Sequence, residues 1–472
     1  MTSAQDPALL SATELLAAFT AKTLSPVEVM TAVLARIDRF EPQVNAFRQV
    51  DREGALAAAK ASEARWAAGN PLGRADGIPV TVKDNIHVAG MVTRFGSRLT
   101  PDTVQTADAP AVARLRAEGA VFVGKTTMPE YGWKATSDSP LTGLTRNPWD
   151  TRMTTGGSSS GAAAAAVLGM GALHLGTDGG GSVRIPAGFT GCFGHKPTRA
   201  RVPAYPASPL GTIAHIGPLT RTAADAALAL SIIGQPDARD VYAWITPAPD
   251  YRQDLDGGVK GLRIAYSPNL KLGVQNDPDV AAGVGKAAKL FAELGAHVEE
   301  VDPDFDLDQV RHWNTIWWSG MAVQLAPYWD KADELGDPGV VKGARGGKSI
   351  PASDLIAANL ERARLHAAFV AFHTRYDLLI TPTLPIPAFE VGKLVPPGGK
   401  FPEIWTSWAP YSYPFNLTQQ PAASVPCGLT PAGLPIGLQI VGAIGADALV
   451  LRAAYAFEAA CPPARIDAPR TP

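Results

Sequence analysis

Two short runs rich in glycine and serine hold the residues whose types and spacing could do chemistry. They are Gly156-Gly157-Ser158-Ser159-Ser160-Gly161 and Gly176-Thr177-Asp178-Gly179-Gly180-Gly181-Ser182. The first places hydroxyls where an alanine-rich helix should begin, and the free N–H groups and dipole of a helix N-terminus favour negative charge. In the second, three glycines directly precede a serine. Without a Cβ, such residues let backbone N–H groups turn toward a ligand, which is what an oxyanion hole requires. Either run alone reads most simply as an ordinary loop. Their pairing, with Lys83 following the apolar run Ile78–Val82 upstream, is much harder to dismiss.

Alternating strands and helices must position these runs. Ser11 with Glu14, and Ser25-Pro26-Val27-Glu28, are capping-box signatures that open two helices, the second with an apolar stripe at Val29, Ala32, Val33 and Ile37. Asp51–Trp66 reads as a further helix, and Ile78–Val82 and Ala120–Val123 as buried strands. Leu262–Tyr266, a helix capped by Asp277 with Pro278 at its first position, and Ala296–Val301 make an expected βαβ unit. A helix over 354–372, strands over 378–380 and 434–441 and a helix over 446–459 follow. This alternation argues an α/β class. The apolar stretch Ala162–Leu175 is shorter than the ~20 residues of a membrane span and reads as a buried helix. Without an internal repeat or long linker, one domain over 1–472 is expected. Within it lie N-terminal helices (1–70), a catalytic core (75–225) and a variable region (305–415).

Composition narrows the class. The 472 residues are 46% hydrophobic and 18% charged with a net charge of −2, which is globular and lacks the basic face that nucleic acid requires. Cys192, Cys427 and Cys461 are too scattered for a disulfide framework or a metal site. The eight histidines give no HExxH, so neither metal nor other cofactor is expected. Met1–Leu10 lacks a signal-peptide pattern, and a cytoplasmic enzyme without a membrane partner is expected.

Gly77-Ile78-Pro79-Val80-Thr81-Val82-Lys83-Asp84-Asn85 resembles the lysine segment of the amidase signature family. The runs 156–161, 176–187 and Gly194-His195-Lys196-Pro197-Thr198 resemble the signature itself. Ile216–Arg221, Leu379–Thr383 and Gly433–Gln439 resemble later family segments in the family's order. Two departures are Ser160, where glycine is common, and Gly179, where a bulkier residue often sits. The resemblance implies a mixed central β-sheet covered by helices on both faces. It implies Ser182 as nucleophile, Ser158 as its bridge to the base Lys83, and a cis peptide before Ser158. It further implies an oxyanion hole from the N–H groups of Gly179, Gly180, Gly181 and Ser182. Thr177, Asp178, Arg184 and Ser159 would support that loop and site. A solvated lysine, pKa ~10.4, cannot accept a proton at neutral pH. Burial among Ile78, Val80 and Val82 would disfavour the ammonium, by up to ~3–5 units for buried lysines generally.

Two other motifs compete. Gly119–Thr126 satisfies the Walker A pattern, but its four middle residues read as a strand rather than a phosphate loop. Gly157–Gly161 satisfies GxSxG with Ser159 as nucleophile. That elbow needs an apolar strand before it and a late histidine, whereas Arg152–Thr155 is polar and none follows His373.

The substrate is less legible. Aromatic residues cluster at Trp313, Trp317, Trp318, Tyr328 and Trp329, then at Trp405, Trp408, Tyr411, Tyr413 and Phe415. Met128, Tyr131, Trp317, Trp318, Trp405, Trp408 and Tyr411 are the expected pocket lining, for an apolar or aryl amide. Aryl carbamates (urethanes) and esters pass through the same kind of oxyanion and stay on the list. A related family role is the glutamine-hydrolysing subunit of a transfer-RNA amidotransferase. Its basic, glycine-containing stretch does not occur around Lys342–Asp354, so a stand-alone enzyme, monomer or homodimer, is expected.

Overall fold

The computed structural model describes residues 6–305 and 308–471, and the readings above that touch residues 1–5, 306, 307 or 472 lie outside the described residues there. Among the described residues, eleven strands form one sheet. They are β1 (Phe47–Val50), β2 (Pro79–Lys83), β3 (Val121–Thr126), β4 (Leu173–Asp178), β5 (Phe193–Lys196) and β6 (His215–Thr220). The others are β7 (Arg263–Tyr266), β8 (His297–Glu300), β9 (Leu378–Pro382), β10 (Ala422–Leu429) and β11 (Pro435–Gly442). Their order across the sheet is β1-β3-β2-β4-β6-β5-β10-β11-β9-β7-β8. β3, β2 and β4 run parallel, as do β9, β7 and β8, whereas every pairing between β4 and β9 is antiparallel.

Helices cover both faces. Successive side chains of a strand point to opposite sides. On β11 a Cβ at Gly437 would meet Gly188, in the helix Arg184–Thr190, while one at Gly442 would meet Val450, in the helix Asp447–Ala460. The sheet is therefore the mixed, two-sided α/β layer that the sequence implies. Both capping boxes form, and β7, the helix Pro278–Glu293 and β8 make the expected βαβ unit.

Ala162–Leu175 corrects the sequence reading, because it is not one helix. The helix Ser160–Val167 stops, Gly169 and Gly171 take φ of +65° and +140°, and the chain returns as β4. Those angles suit glycine, and two glycines so close together convert a helix into a strand. None of the described helices is long and apolar enough to cross a membrane. The Walker-like segment is β3 from Val121 to Thr126, with the buried Lys125 amine donating to the Ile86 carbonyl. It is a strand, not a phosphate loop.

β2 and β4 are parallel neighbours, so their C-terminal ends share one edge of the sheet. Ligands of α/β sheets bind at that end. Here it presents Lys83 beside Thr177 and Asp178.

Candidate active site

Lys83 closes β2 with no solvent exposure. Its amine meets three hydroxyls: Ser158 Oγ at 2.8 Å, Thr177 Oγ1 at 2.9 Å and Ser159 Oγ at 3.0 Å. Burial pushes its pKa well below the ordinary lysine value, against an opposing pull from the Asp178 carboxylate. The Gly157–Ser158 peptide is cis. Ser159 precedes the helix Ser160–Val167; its N–H donates to the Ser182 carbonyl at 3.1 Å and its hydroxyl to the Thr177 carbonyl at 3.2 Å. This wholly buried hydroxyl is built into the wall, which removes the GxSxG reading. Ser158 and Ser182 both border one cavity of about 160 Å³. Among the described residues no hydrogen bond joins their two hydroxyls, and Ser182 is the more exposed.

The loop before Ser182 is fixed from outside. Asp178 Oδ1 accepts from Gly181 N–H (2.8 Å), Arg184 Nη2 (2.9 Å) and Asn416 Nδ2 (2.8 Å), and Oδ2 accepts from Val183 N–H (3.2 Å) and Arg184 Nε (3.0 Å). Burial alone would raise this carboxyl; the Arg184 guanidinium, with Lys196 and Asn416, more than offsets that and holds it below the usual carboxylate range. Arg184 uses its remaining donors on the Ser412 carbonyl, Gln439 Oε1 and Asn416 Oδ1. Trp313 Nε1 donates to the Gly179 carbonyl at 2.8 Å, and Ser412 Oγ to the Gly180 carbonyl at 2.6 Å. Gly181 has φ of +116°, and a Cβ there would stand 2.3 Å from Ser412 Oγ, so only glycine fits. The expected set of four inward N–H groups is corrected at Gly181, whose N–H is held by Asp178. Those of Gly179, Gly180 and Ser182 have no acceptor among the described residues.

Residues 28–451 match the Amidase family. The chain is 38% identical over 459 residues to an acylamidase of Rhodococcus erythropolis, covering 96% of each. It is also 36% identical over 479 residues to one of the subunits of the glutamyl-tRNA(Gln) amidotransferase of Myxococcus xanthus, covering 95% of this chain and 96% of that one. Among solved structures, a bacterial aryl acylamidase of the amidase signature enzymes superposes with a TM-score of 0.88 at 30% identity, covering 96% of both chains. The chain belongs to the amidase family. It is an amide-hydrolysing enzyme.

The cavity of this amidase has an apolar wall from Ile86, Phe95, Tyr131, Leu210, Trp317 and Met321, with His87, Asn85, His215 and Gln324 as polar members. Of the seven residues expected to line it, Tyr131 and Trp317 do. Trp318 packs against Trp133, ring centres 6.3 Å apart, and Trp408 stacks on Phe189 at 5.9 Å, both away from the cavity. The Tyr411 hydroxyl donates to Asn276 at 2.8 Å inside the core. Trp405 stands edge-on to Trp313, behind Gly180, and Met128 lies behind Gly132. Trp317 fills the space beside Gly179, where a Cβ would come within 2.9 Å of its ring. That accounts for glycine at this departure from the family pattern.

Sequence reasoning missed the segment Ala204–Leu210, which supplies another wall. Its position offered a cue: residues 197–214 form a long connection between β5 and β6, and such loops are commonly functional. His215 was also missed. Burial, with Lys196 and Arg199 near, holds its pKa well below the ordinary histidine value, and Nδ1 lies 2.9 Å from the Ile213 carbonyl.

Proposed function

We propose that this amidase cleaves uncharged amides with apolar or aryl groups, through an acyl-enzyme on Ser182. The observation that carries the reading is the buried Lys83 amine 2.8 Å from Ser158 Oγ, with Ser158 and Ser182 on one cavity wall. Lys83 without its proton accepts that of Ser158 as Ser158 accepts that of Ser182, and Ser182 Oγ bonds to the acyl carbon. Hydrogen bonds of this kind commonly close only around a bound substrate, so the open Ser158–Ser182 pair fits a resting enzyme. The oxyanion meets the N–H groups of Gly179, Gly180 and Ser182. The C–N bond then breaks, the proton returns along the same path to the leaving amine, and water repeats the cycle on the ester.

The walls favour a neutral substrate. Among the described residues, and apart from Asp178, already engaged by Arg184, the lining contains no acidic, lysine or arginine side chain. Free glutamine, with an ammonium and a carboxylate, would find no counter-charge. About 160 Å³ accepts roughly one aromatic ring, comparable with an engineered apolar cavity that binds benzene. Aryl carbamates carry the same ring and carbonyl. The test is a turnover panel of aryl amides, fatty amides, peptide amides and aryl carbamates, with Ser182→Ala as control. Anilides should lead, and Ser182→Ala should abolish all turnover. Comparable rates on glutamine with a transfer-RNA acceptor would overturn the proposal.

A further inference from the structure

We propose that the helix Ala352–Phe372 is a dimerisation surface, on which a second copy of this chain packs antiparallel about a two-fold axis near residue 365. The helix spans 21 residues and is apolar on two sides. One side, with Ala358, Leu365, Phe369 and Phe372, is buried against the body of the enzyme. Arg362 fastens the helix there, donating to the Leu417 carbonyl at 2.7 Å and to Thr212 Oγ1 at 2.6 Å. The other side carries Ile356, Leu360, Ala363, Ala367 and Val370, all exposed, with Ile356 and Leu360 at 62% and Val370 at 54%. Spacings of 4, 3, 4 and 3 keep these five on one stripe, the pattern of a coiled-coil seam. By contrast, the helix Pro26–Val44 turns Thr31, Asp38, Arg39 and Gln43 to solvent. A helix that is apolar all round ordinarily has a partner on both sides.

The order of side-chain sizes names the occupant. From Leu360 through Ala363 and Ala367 to Val370 the stripe reads large, small, small, large, so it matches itself when reversed. Antiparallel pairing sets Leu360 against Val370 of the second copy, and Ala363 against Ala367 of the second copy. The alanines let the two backbones approach closely. Self-complementarity of this kind is what a two-fold interface requires. Charge agrees with it. Glu361 and Arg364 flank the stripe as an ion pair at 2.6 Å, and the axis brings the two pairs together, with charges of each sign in equal number. Ile444, 39% exposed, borders the same surface cleft as Val370 and widens the patch. The five stripe residues and Ile444 expose roughly 500 Å² of apolar surface, over half of the ~800 Å² that each partner of a standard interface buries. A lipid surface fits less well. Helices that lie on membranes carry a rim of lysine and arginine, whereas the charged neighbours of this stripe, Asp354, Glu361 and Arg364, are mixed in sign.

Sedimentation equilibrium of the full chain tests this. The wild type should reach twice the 49.4 kDa chain mass at micromolar concentration. Ala363→Glu would bury a carboxylate against Ala367 of the second copy, and should raise the dimer dissociation constant roughly a hundredfold or more with far-UV circular dichroism unchanged. Cross-linking gives a reading that does not depend on that variant. Leu360→Cys co-expressed with Val370→Cys should form a disulfide-linked dimer on mild oxidation. Neither variant alone should link to itself, because like positions lie about 15 Å apart along antiparallel helices. The wild type, whose Cys461 is its one partly exposed thiol among the described residues, serves as the blank. A wild type that stays monomeric at roughly 100 µM overturns the proposal, and its binding to phosphatidylcholine or phosphatidylglycerol vesicles would then assign the face to lipid. A dimer that Ala363→Glu leaves intact also overturns it, as does one in which each cysteine variant links to itself.

Discussion

Trp313 holds the glycine loop by its carbonyl side: its indole N–H reaches the Gly179 oxygen at 2.8 Å, and its ring lies 2.7 Å from where a Cβ of Gly180 would stand. The Gly179–Gly180 peptide is planar, so fixing its oxygen also aims the Gly180 N–H the opposite way. Trp313→Phe keeps a ring in place and removes the donor. We expect kcat to fall roughly 10- to 100-fold, somewhat less than the loss of a whole oxyanion donor. Steady-state kinetics beside a thermal melt would check this; an unchanged kcat would detach Trp313 from the site.

Lys83→Met should trade activity for stability. The folded-state pKa of Lys83 is depressed, while the unfolded chain holds that proton up to about pH 10.4. The unfolded state thus binds more protons, and stability rises with pH from the lowered folded value to the unfolded one. Methionine removes this dependence. The variant should be inactive, melt above the wild type at pH 7, and lose that advantage as pH approaches about 10. A gap that widens with pH would contradict the assignment.

Arg184 and Asp178 are both fully buried and paired at 2.9 Å. Arg184→Leu leaves a carboxylate without its partner, and breaking such a pair costs about 3–5 kcal/mol. Urea unfolding should show that loss, and Asp178→Asn in the same chain should recover part of it. Without that recovery, the cost lies in the severed contacts to Ser412, Asn416 and Gln439 instead.

Trp317→Ala should change substrate choice. The ring borders the cavity and stacks on Trp313 with centres 4.6 Å apart. Removing it enlarges the room beside Gly179, so anilides with a second ring should gain on acetanilide by roughly tenfold in relative kcat/KM. An unaltered ratio would place the acyl group elsewhere.

The proximity of Lys83, Ser158, Ser159 and Thr177 was readable because they lie in short runs, marked by glycine and serine, that resemble family segments. The α/β class followed from alternation of strand and helix patterns and the mixed sheet from the family resemblance, while the misreading of Ala162–Leu175 came from treating Gly169 and Gly171 as helix residues. Pocket lining was harder, since tryptophan serves core and cavity equally well and only the tertiary fold separates the two. Even so, one clue was present. Trp313 and Trp317 are four apart on the helix Gln309–Leu325 and share a face, whereas Trp318 is turned off it. Gly181 illustrates the other limit, because no pattern of residues announces that Asp178 will take its N–H.

Arg184 ties Asp178 to Ser412, Asn416 and Gln439, so residues more than two hundred positions downstream brace the loop in front of Ser182. A chain emerging from the ribosome would carry every reacting group long before it could hydrolyse anything. Activity would switch on only with about the last eighth of synthesis, and a fragment truncated before Ser412 would be a harmless bystander toward the cell's own amides.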